Sequence, residues 1–549
     1  MIVLPSPRVR LPVKSPSVFI VGVVVFLVVM PIGVIFSSFF QDASKIWAHF
    51  FETILGEILM NTFWLGVGVG GGTLILGVSL AWVTSFCEFP GRRFWEWILM
   101  LPLAVPTYVL GFIWIGMMDY SGTVPTFLRN HFKAQTFWIP PIRSGGGVIF
   151  VMILAFYPYV YLLARNAFLT QGRSSIEAAK VLGMNDWDIF FRVSLPMARP
   201  WIVGGLMLVW MEVLADFGTV SVFNYDTLTT AIYKAWFSLF SLPAAAQLSS
   251  LLVIMIFIFL AAENFLRGRK GYAPGAKQHL ARKRFVLKRE KTFMAWVYLS
   301  MILLLAFVMP VLQLGFWVVK AERPDFDGRY FEFFFHTVFL AVLSACLICT
   351  VSLGLNYAAR RQPGWLIELM IKISTIGYAM PGTVLAVGVY ASLVGIDHLL
   401  SQAGRALLGI EGGLILTGTI AAMLLAYLVR FLRVAHTPIE SAFERITPHI
   451  EDAARNMGYH GLELIRKIQM PLIKGGLWTG LILVFVDVMR EMPITLMTRP
   501  FGWDTLAVKI FEFTSEGEWQ MASLPSLFLV ITGLIPVLVL ASREKGSQS

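Results

Sequence analysis

Charge is scarce in this chain. Of its 549 residues only 14% are Asp, Glu, Lys or Arg, and 57% are hydrophobic. A water-soluble protein carries roughly 25% charged residues, so a soluble globular domain is excluded. Cysteine is scarcer still, and three residues do not build a disulfide framework. Cys346 and Cys349 form a CxxC inside an apolar run, where small lipid-buried side chains are the simplest reading, and Cys87 carries no signal. A phosphate loop is missing as well. The run Gly66 to Gly72 (GVGVGGG) lacks the Lys-Ser or Lys-Thr ending that a nucleotide-binding loop needs, and close helix packing accounts for its glycines. Catalytic constellations and metal sites of ordinary spacing are also absent from the sequence. Isolated histidines such as His336 and His436 read as polar residues at span ends.

Long apolar runs are plentiful, and they mark an all-α polytopic membrane protein. A helix crossing the hydrocarbon core needs about 20 apolar residues. The pattern predicts about twelve spans: 17–38, 59–86, 95–118, 147–169, 201–223, 248–266, 293–319, 337–358, 365–394, 413–432, 475–498 and 522–541. The net charge of +11 is a topology signal rather than a nucleic-acid footprint. With the N-terminus cytoplasmic, loops on that side hold about 30 Lys and Arg against about 10 opposite. Both termini then lie in the cytoplasm. The first run follows Arg8, Arg10 and Lys14 without a small-residue cleavage site, so it reads as a retained helix rather than a signal peptide.

A polar signature occurs twice. Glu177 to Pro196 reads EAAKVLGMNDWDIFFRVSLP, and Asp452 to Pro471 reads DAARNMGYHGLELIRKIQMP. Equivalent residues stand 275 apart: Glu177 and Asp452, Gly183 and Gly458, Pro196 and Pro471. The same offset pairs Thr62 with Thr337, Pro106 with Pro381, Glu212 with Asp487 and Asp216 with Glu491. A fixed long offset means two homologous halves, here of six spans each and therefore in the same orientation. The boundaries are an N-terminal tail and first helix (1–56), a first domain (57–266), a basic linker (267–292), a helix with its external loop (293–331), a second domain (332–541) and a cytoplasmic tail (542–549).

Each signature lies between the fourth and fifth spans of its half, on the cytoplasmic side by the charge rule. Ala178 and Ala179, like Ala453 and Ala454, favour a short helix with a small surface against which a partner can pack. Gly183 and Gly458 permit the positive φ of a sharp turn. The segment after the first turn is amphipathic, with Trp187, Ile189, Phe190 and Val193 interspersed with Asp186, Asp188 and Arg192. Pro196 and Pro471 are expected to start the following span, where a missing N–H costs little. Pro106 and Pro381 fall mid-membrane, so the backbone groups they free need neighbours to satisfy them.

The acid-Ala-Ala-x-x-x-Gly string, nine residues, then apolar-x-apolar-Pro resembles the signature loop of permease subunits of ATP-binding-cassette importers, in the fused form with both membrane halves on one chain. The resemblance implies the type I permease fold and a loop that docks into a separate cytoplasmic ATPase, here through Glu177, Ala178, Ala179, Gly183, Pro196, Asp452, Ala453, Ala454, Gly458 and Pro471. Asp452 departs from the usual Glu but keeps the charge. Glu212 to Phe223 (EVLADFGTVSVF) and Arg490 to Val508 are similar to fused ferric-iron permeases, and thiamine and polyamine permeases share the architecture. The family implies a bacterial inner-membrane location, a periplasmic binding protein as partner, no enzymatic activity, no cofactor on this chain, and ATP consumed by the partner ATPase. An ion-coupled secondary transporter is the rival from another class.

Four acids stand on the fifth spans at helical i, i+4 spacing: Glu212 with Asp216, and Asp487 with Glu491. Carboxylates at membrane depth are costly unless they face a cavity or a partner. They read either as a cation path of hard oxygen ligands or as packing charges, Arg490 neutralising Glu491.

Overall fold

The computed structural model describes residues 16–132, 140–170, 178–267, 285–321, 328–408, 415–459 and 462–546. Among the described residues eleven helices are long and apolar enough to cross a membrane, and a bent pair brings the number to twelve. Glu177 and most of the basic linker fall outside the described residues.

Several spans differ from their sequence-based limits, and prolines mark the breaks in the third, ninth and eleventh. The third is broken: Arg92–Ile98 and the tight turn Leu101–Ala104 precede the helix Thr107–Met118, with an 87° bend between the two parts. Pro102 and Pro106 lie at the break, where each removes a backbone donor. The fifth ends at Ala215 instead of Phe223, and a separate short helix, Gly218–Val222, follows. The ninth divides into Trp365–Ser374 and Gly382–Leu408 around Pro381, and the eleventh into Met470–Arg490 and Pro493–Thr498.

Pro196 and Pro471 do not start their spans. Helix runs without interruption from Asp186 to Ala215 and from Leu462 to Arg490, and each passes through a π-helical turn, Ile189–Ser194 or Ile465–Gln469. A proline inside a helix clashes with the carbonyl four residues back. The wider π turn moves that carbonyl aside, and π turns occur as such single-turn bulges. A third π turn, Leu304–Val308, is likewise followed two residues later by a proline, Pro310.

Packing divides the chain into two compact units. One holds the N-terminal helix to Val34 with Phe339–Tyr378 and Gly388–Val488; the other holds Ile35–Val338, Ala379–Val387 and the chain from Met489. In the first unit the N-terminal helix lies on helices of the second half, with Ile20 against Gly354 and Gly22 near Met370. In the second unit the leading helix of the second half lies on the first half. The Tyr298 and Ser79 hydroxyls are 2.6 Å apart, Trp296 Nε1 donates to Pro90 O, and Trp317 packs on Phe112 and Gly116.

The glycine run packs closely. A Cβ at Gly68 or Gly72 would collide with Ile149 or Ile153, one at Gly70 with Trp210, and Trp210 Nε1 donates to Gly66 O at 2.9 Å. Thr62 and Thr337 make the same bond in their two halves. Each hydroxyl accepts the first N–H of a short helix after the fifth span, from Leu228 at 3.2 Å and from Leu506 at 2.9 Å.

Candidate functional site

The two signature loops fold alike, turn for turn. In the first, residues 178–181 are helical and Gly183 stands at φ +78°. Met184 N–H donates to Ala179 O at 3.1 Å and Gly183 N–H to Lys180 O at 2.9 Å. This pair of bonds is the Schellman ending, which requires a left-handed residue after the helix. In the second, the helix Pro448–Asn456 ends at Gly458 with φ +91°, and Tyr459 N–H donates to Ala454 O at 3.1 Å. Both acceptor alanines are buried, while Ala178, Ala453 and Asp452 are exposed. The two alanines of each signature therefore have different tasks. The second packs inward and anchors the turn, and the first stays on the surface. Ile189 and Leu464, again 275 apart, bury the segment that follows.

Around these anchors the first loop carries an exposed apolar rim. Val181, Leu182, Trp187 and Phe191 are each more than half exposed, and the rings of Trp187 and Phe191 are stacked. Met457 is exposed on the second. Exposed large apolar residues of this kind mark a surface that meets another protein or lipid. The apolar residues of the amphipathic segment divide: Ile189 is buried, Phe190 packs on Trp82, and Trp187 faces out.

The acids separate into two kinds. Asp216 caps the short helix Gly218–Val222: its carboxylate accepts from Thr107 Oγ1 (2.8 Å), Thr219 Oγ1 (2.8 Å), Thr219 N–H (2.9 Å) and Val220 N–H (3.3 Å). Glu491 does the same in the second half, where its Oε1 accepts Ile494 N–H at 3.2 Å. Both stand just past the end of a long helix. A 21-residue helix is about 30 Å long, so these carboxylates lie a span's length from the signature loops. Glu212 and Asp487 are half-buried one turn earlier, in different compact units. Beyond Asp216, a cavity of about 170 Å³ is lined by Phe217, Asn224, Tyr225, Asp226, Tyr233 and Lys234.

Arg490 does not act on its neighbour in the sequence alone. Its guanidinium donates to the carbonyls of Leu103 (3.1 Å) and Ala104 (2.6 Å). These are carbonyls at the break that Pro106 creates, so the expected neighbour for the third span of the first half is an arginine from the second half. Two polar groups escaped sequence analysis. Arg92, Glu96 and Arg165 form a buried ionic cluster, with Arg92 bonded to Glu96 and Arg165 3.1 Å from it. Its signals were a glutamate inside the run 95–118 and an arginine inside the run 147–169. Arg499, Asp504, Lys509 and Glu512 close a ring of ion pairs at 2.7–3.1 Å. Burial opposes the charge on Lys509, but its bonds to Glu512 and Asp504 outweigh burial and hold its pKa above the usual lysine value.

Among the described residues no group of three or more His, Cys, Asp or Glu is placed to hold a metal ion. Cys349 is buried beside Gly480, and Cys346 is exposed.

Comparison with known proteins bears on these loops and spans. The Fe(3+)-transport system permease protein FbpB 2 of Haemophilus influenzae is 27% identical over 89% of this chain and 90% of its own. The ferric transport system permease protein FbpB of Actinobacillus pleuropneumoniae is 21% identical over 94% of this chain and 76% of its own. The sulfate transport system permease protein CysW of Escherichia coli K12 is 26% identical, but 88% of it covers only 45% of this chain. A permease half the size of this one thus aligns with about half of it, as a chain of two homologous halves requires. Residues 73–271, which contain the first signature loop, match the family described as binding-protein-dependent transport system inner membrane component.

Proposed function

We propose that this chain is the membrane-spanning permease of a binding-protein-dependent ATP-binding-cassette importer for ferric iron. The observation that carries the reading is the doubled signature turn: an inward alanine, a left-handed glycine and an exposed apolar rim, built twice at one offset. A loop serving only the chain's own packing has no reason to expose Val181, Leu182, Trp187 and Phe191.

Both turns face the cytoplasm, as do both termini, and each seats in a separate ATPase that consumes the ATP; the chain itself binds no cofactor. A periplasmic binding protein delivers the iron to the opposite face. ATP binding closes the ATPase and biases the membrane halves toward one of two arrangements, which requires that it grip one more tightly than the other. Iron is favoured because the relatives named for ferric transport align with both halves, whereas the sulfate permease aligns with one half's length. The test is uptake by proteoliposomes holding the chain, its ATPase and its binding protein. Radiolabelled ferric iron should enter only with ATP and all three components, and labelled thiamine should not. Transport by the chain alone under an ion gradient would refute the proposal.

Asp216 and Glu491 act as helix caps, so their charge is dispensable where their oxygens are not. Asp216→Asn keeps an acceptor for Thr219 N–H and should hold uptake within about twofold of the parent. Asp216→Ala loses the cap, which costs roughly 0.5–2 kcal/mol, and should reduce the amount of folded protein. Loss of uptake in a well-folded Asp216→Asn variant would instead make that charge part of the path.

A further inference from the structure

The segment leaving the basic linker returns to the first signature loop. Phe285–Val286 pairs with Cys87–Glu88 as a short parallel strand, in the register Cys87 to Phe285 and Glu88 to Val286. Leu287 N–H donates to Glu88 O at 3.2 Å, and nine residues later Trp296 Nε1 donates to Pro90 O at 3.1 Å. The start of the second half is thereby fastened to the loop between the second and third spans.

Phe285 touches the arm of the signature loop before the turn and reaches the arm after it through other aromatic rings. On the arm before the glycine turn, Lys180 Nζ lies 4.1 Å from the centre of the Phe285 ring. That is within the distance at which a cation is attracted to an aromatic face. Toward the arm after the turn, Phe285 meets Phe86, Phe86 stacks on Trp82, and Trp82 packs edge-on against Phe190, the neighbour of buried Ile189. Phe168 closes this aromatic group against Trp82 and Phe86.

The second half has no counterpart in sequence. The 275-residue offset puts Arg361 where Phe86 stands and Ile465 where Phe190 stands, and it puts Pro363, which cannot donate to a strand, at Glu88. Among the described residues Phe285–Val286 with Cys87–Glu88 is the one strand pair.

We infer that Phe285 and Lys180 are positioning residues for coupling: the strand Phe285–Leu287 clamps the first signature loop in its docking position, so the two loops that face the motor are set by different means. The inference rests on the permease reading above. It assigns the strand a task that a passive tether between halves does not have. When the leading helix of the second half moves, the strand carries that movement to the first loop through Phe285.

The test uses the full transporter with its ATPase and binding protein, and reads labelled ferric iron taken up per ATP hydrolysed. Phe285→Ala and Lys180→Met should each lower that ratio roughly two- to fivefold, the range of a cation-aromatic contact, with ATPase assembly unchanged. Phe285→Tyr and Lys180→Arg preserve ring and charge and should retain the parent ratio. The double variant Phe285→Ala with Lys180→Met should be no worse than Phe285→Ala alone, because without the ring Lys180 has no contact left to lose there. Glu88→Cys with Val286→Cys, in a chain whose Cys87, Cys346 and Cys349 are alanine, should form a disulfide that leaves uptake intact. A parent ratio in Phe285→Ala, multiplying losses in the double variant, or arrest by the disulfide would each overturn the clamp. Absence of any ATP-dependent uptake by the parent assembly would overturn the permease reading itself, a separate and visible failure.

Discussion

Replacing Arg490 with methionine is expected to strip the folded transporter from the membrane. The side chain bridges two carbonyls, Leu103 and Ala104, at the break in the third span. Pro102 and Pro106 interrupt the helix there, and lipid offers no donor to replace the lost one. Each carbonyl left without a partner costs roughly 1–3 kcal/mol. Two such losses approach the 5–15 kcal/mol by which a typical protein is stable. The surroundings are built for this guanidinium. A Cβ at Gly533 would collide with Arg490 Nη2 and with Ala104 O, so glycine is needed where the last long helix passes. Gly533→Ala should therefore break the same contact from the other side. Thermal stability of detergent-purified protein and its yield in membranes are the measurements. Arg490→Met and Gly533→Ala should each lower both, and the pair together should fall short of the sum, since they share one interaction. Arg490→Lys keeps the charge but not the planar fork, and should recover part of the loss. Parent-like stability of Arg490→Met would show that the broken span satisfies its carbonyls in another way.

This contact shows where sequence reading stopped. Pro106 in an apolar run was enough to state that freed backbone groups need a neighbour. The neighbour was out of reach, because Arg490 lies 387 residues from Leu103 and has no counterpart at the repeat-equivalent position, which is Ala215. Local spacing instead suggested Glu491 as its partner, although adjacent helix residues do not face each other. The caps at Asp216 and Glu491 follow the same lesson. Four acids at i, i+4 spacing looked like one set lining a helix face. The helices end at Ala215 and Arg490, so the second acid of each pair lies beyond the helix and turns to the next one. Thr219, three residues after Asp216, was the legible sign of a cap, and the apolar run through Phe223 concealed it. The signature turns were legible for the opposite reason. A left-handed glycine and an inward alanine are local requirements, so the second copy repeats them while most other residues differ. The strand at Phe285 is two residues long and has no periodicity to read.

Valine at Gly183 and Gly458 is the other substitution expected to have a large effect, and here geometry isolates its cause. No atom lies within 4 Å of a Cβ added at either glycine. Packing therefore does not oppose a side chain, and only the backbone does. At φ +78° and +91° an L-residue is strained, by roughly 1–2 kcal/mol in the left-handed region and more for a β-branched side chain. That strain acts directly on the Schellman bonds that hold Met184 to Ala179 and Tyr459 to Ala454. Each opened turn would swing its loop off its buried alanine. The spans themselves do not pass through these glycines, so membrane insertion and overall stability should stay close to the parent's. Uptake should fall roughly tenfold for either single variant, since about 1.4 kcal/mol shifts an equilibrium by that factor, and further for the pair, because both loops must seat for the motor to move both sides. Gly183→Asn and Gly458→Asn should retain most activity, as asparagine tolerates this backbone region. The measurements are ATPase co-purification and iron uptake per assembled transporter. A double valine variant that binds its ATPase and imports at the parent rate would remove the turns from the coupling path and with them the basis for the proposed function.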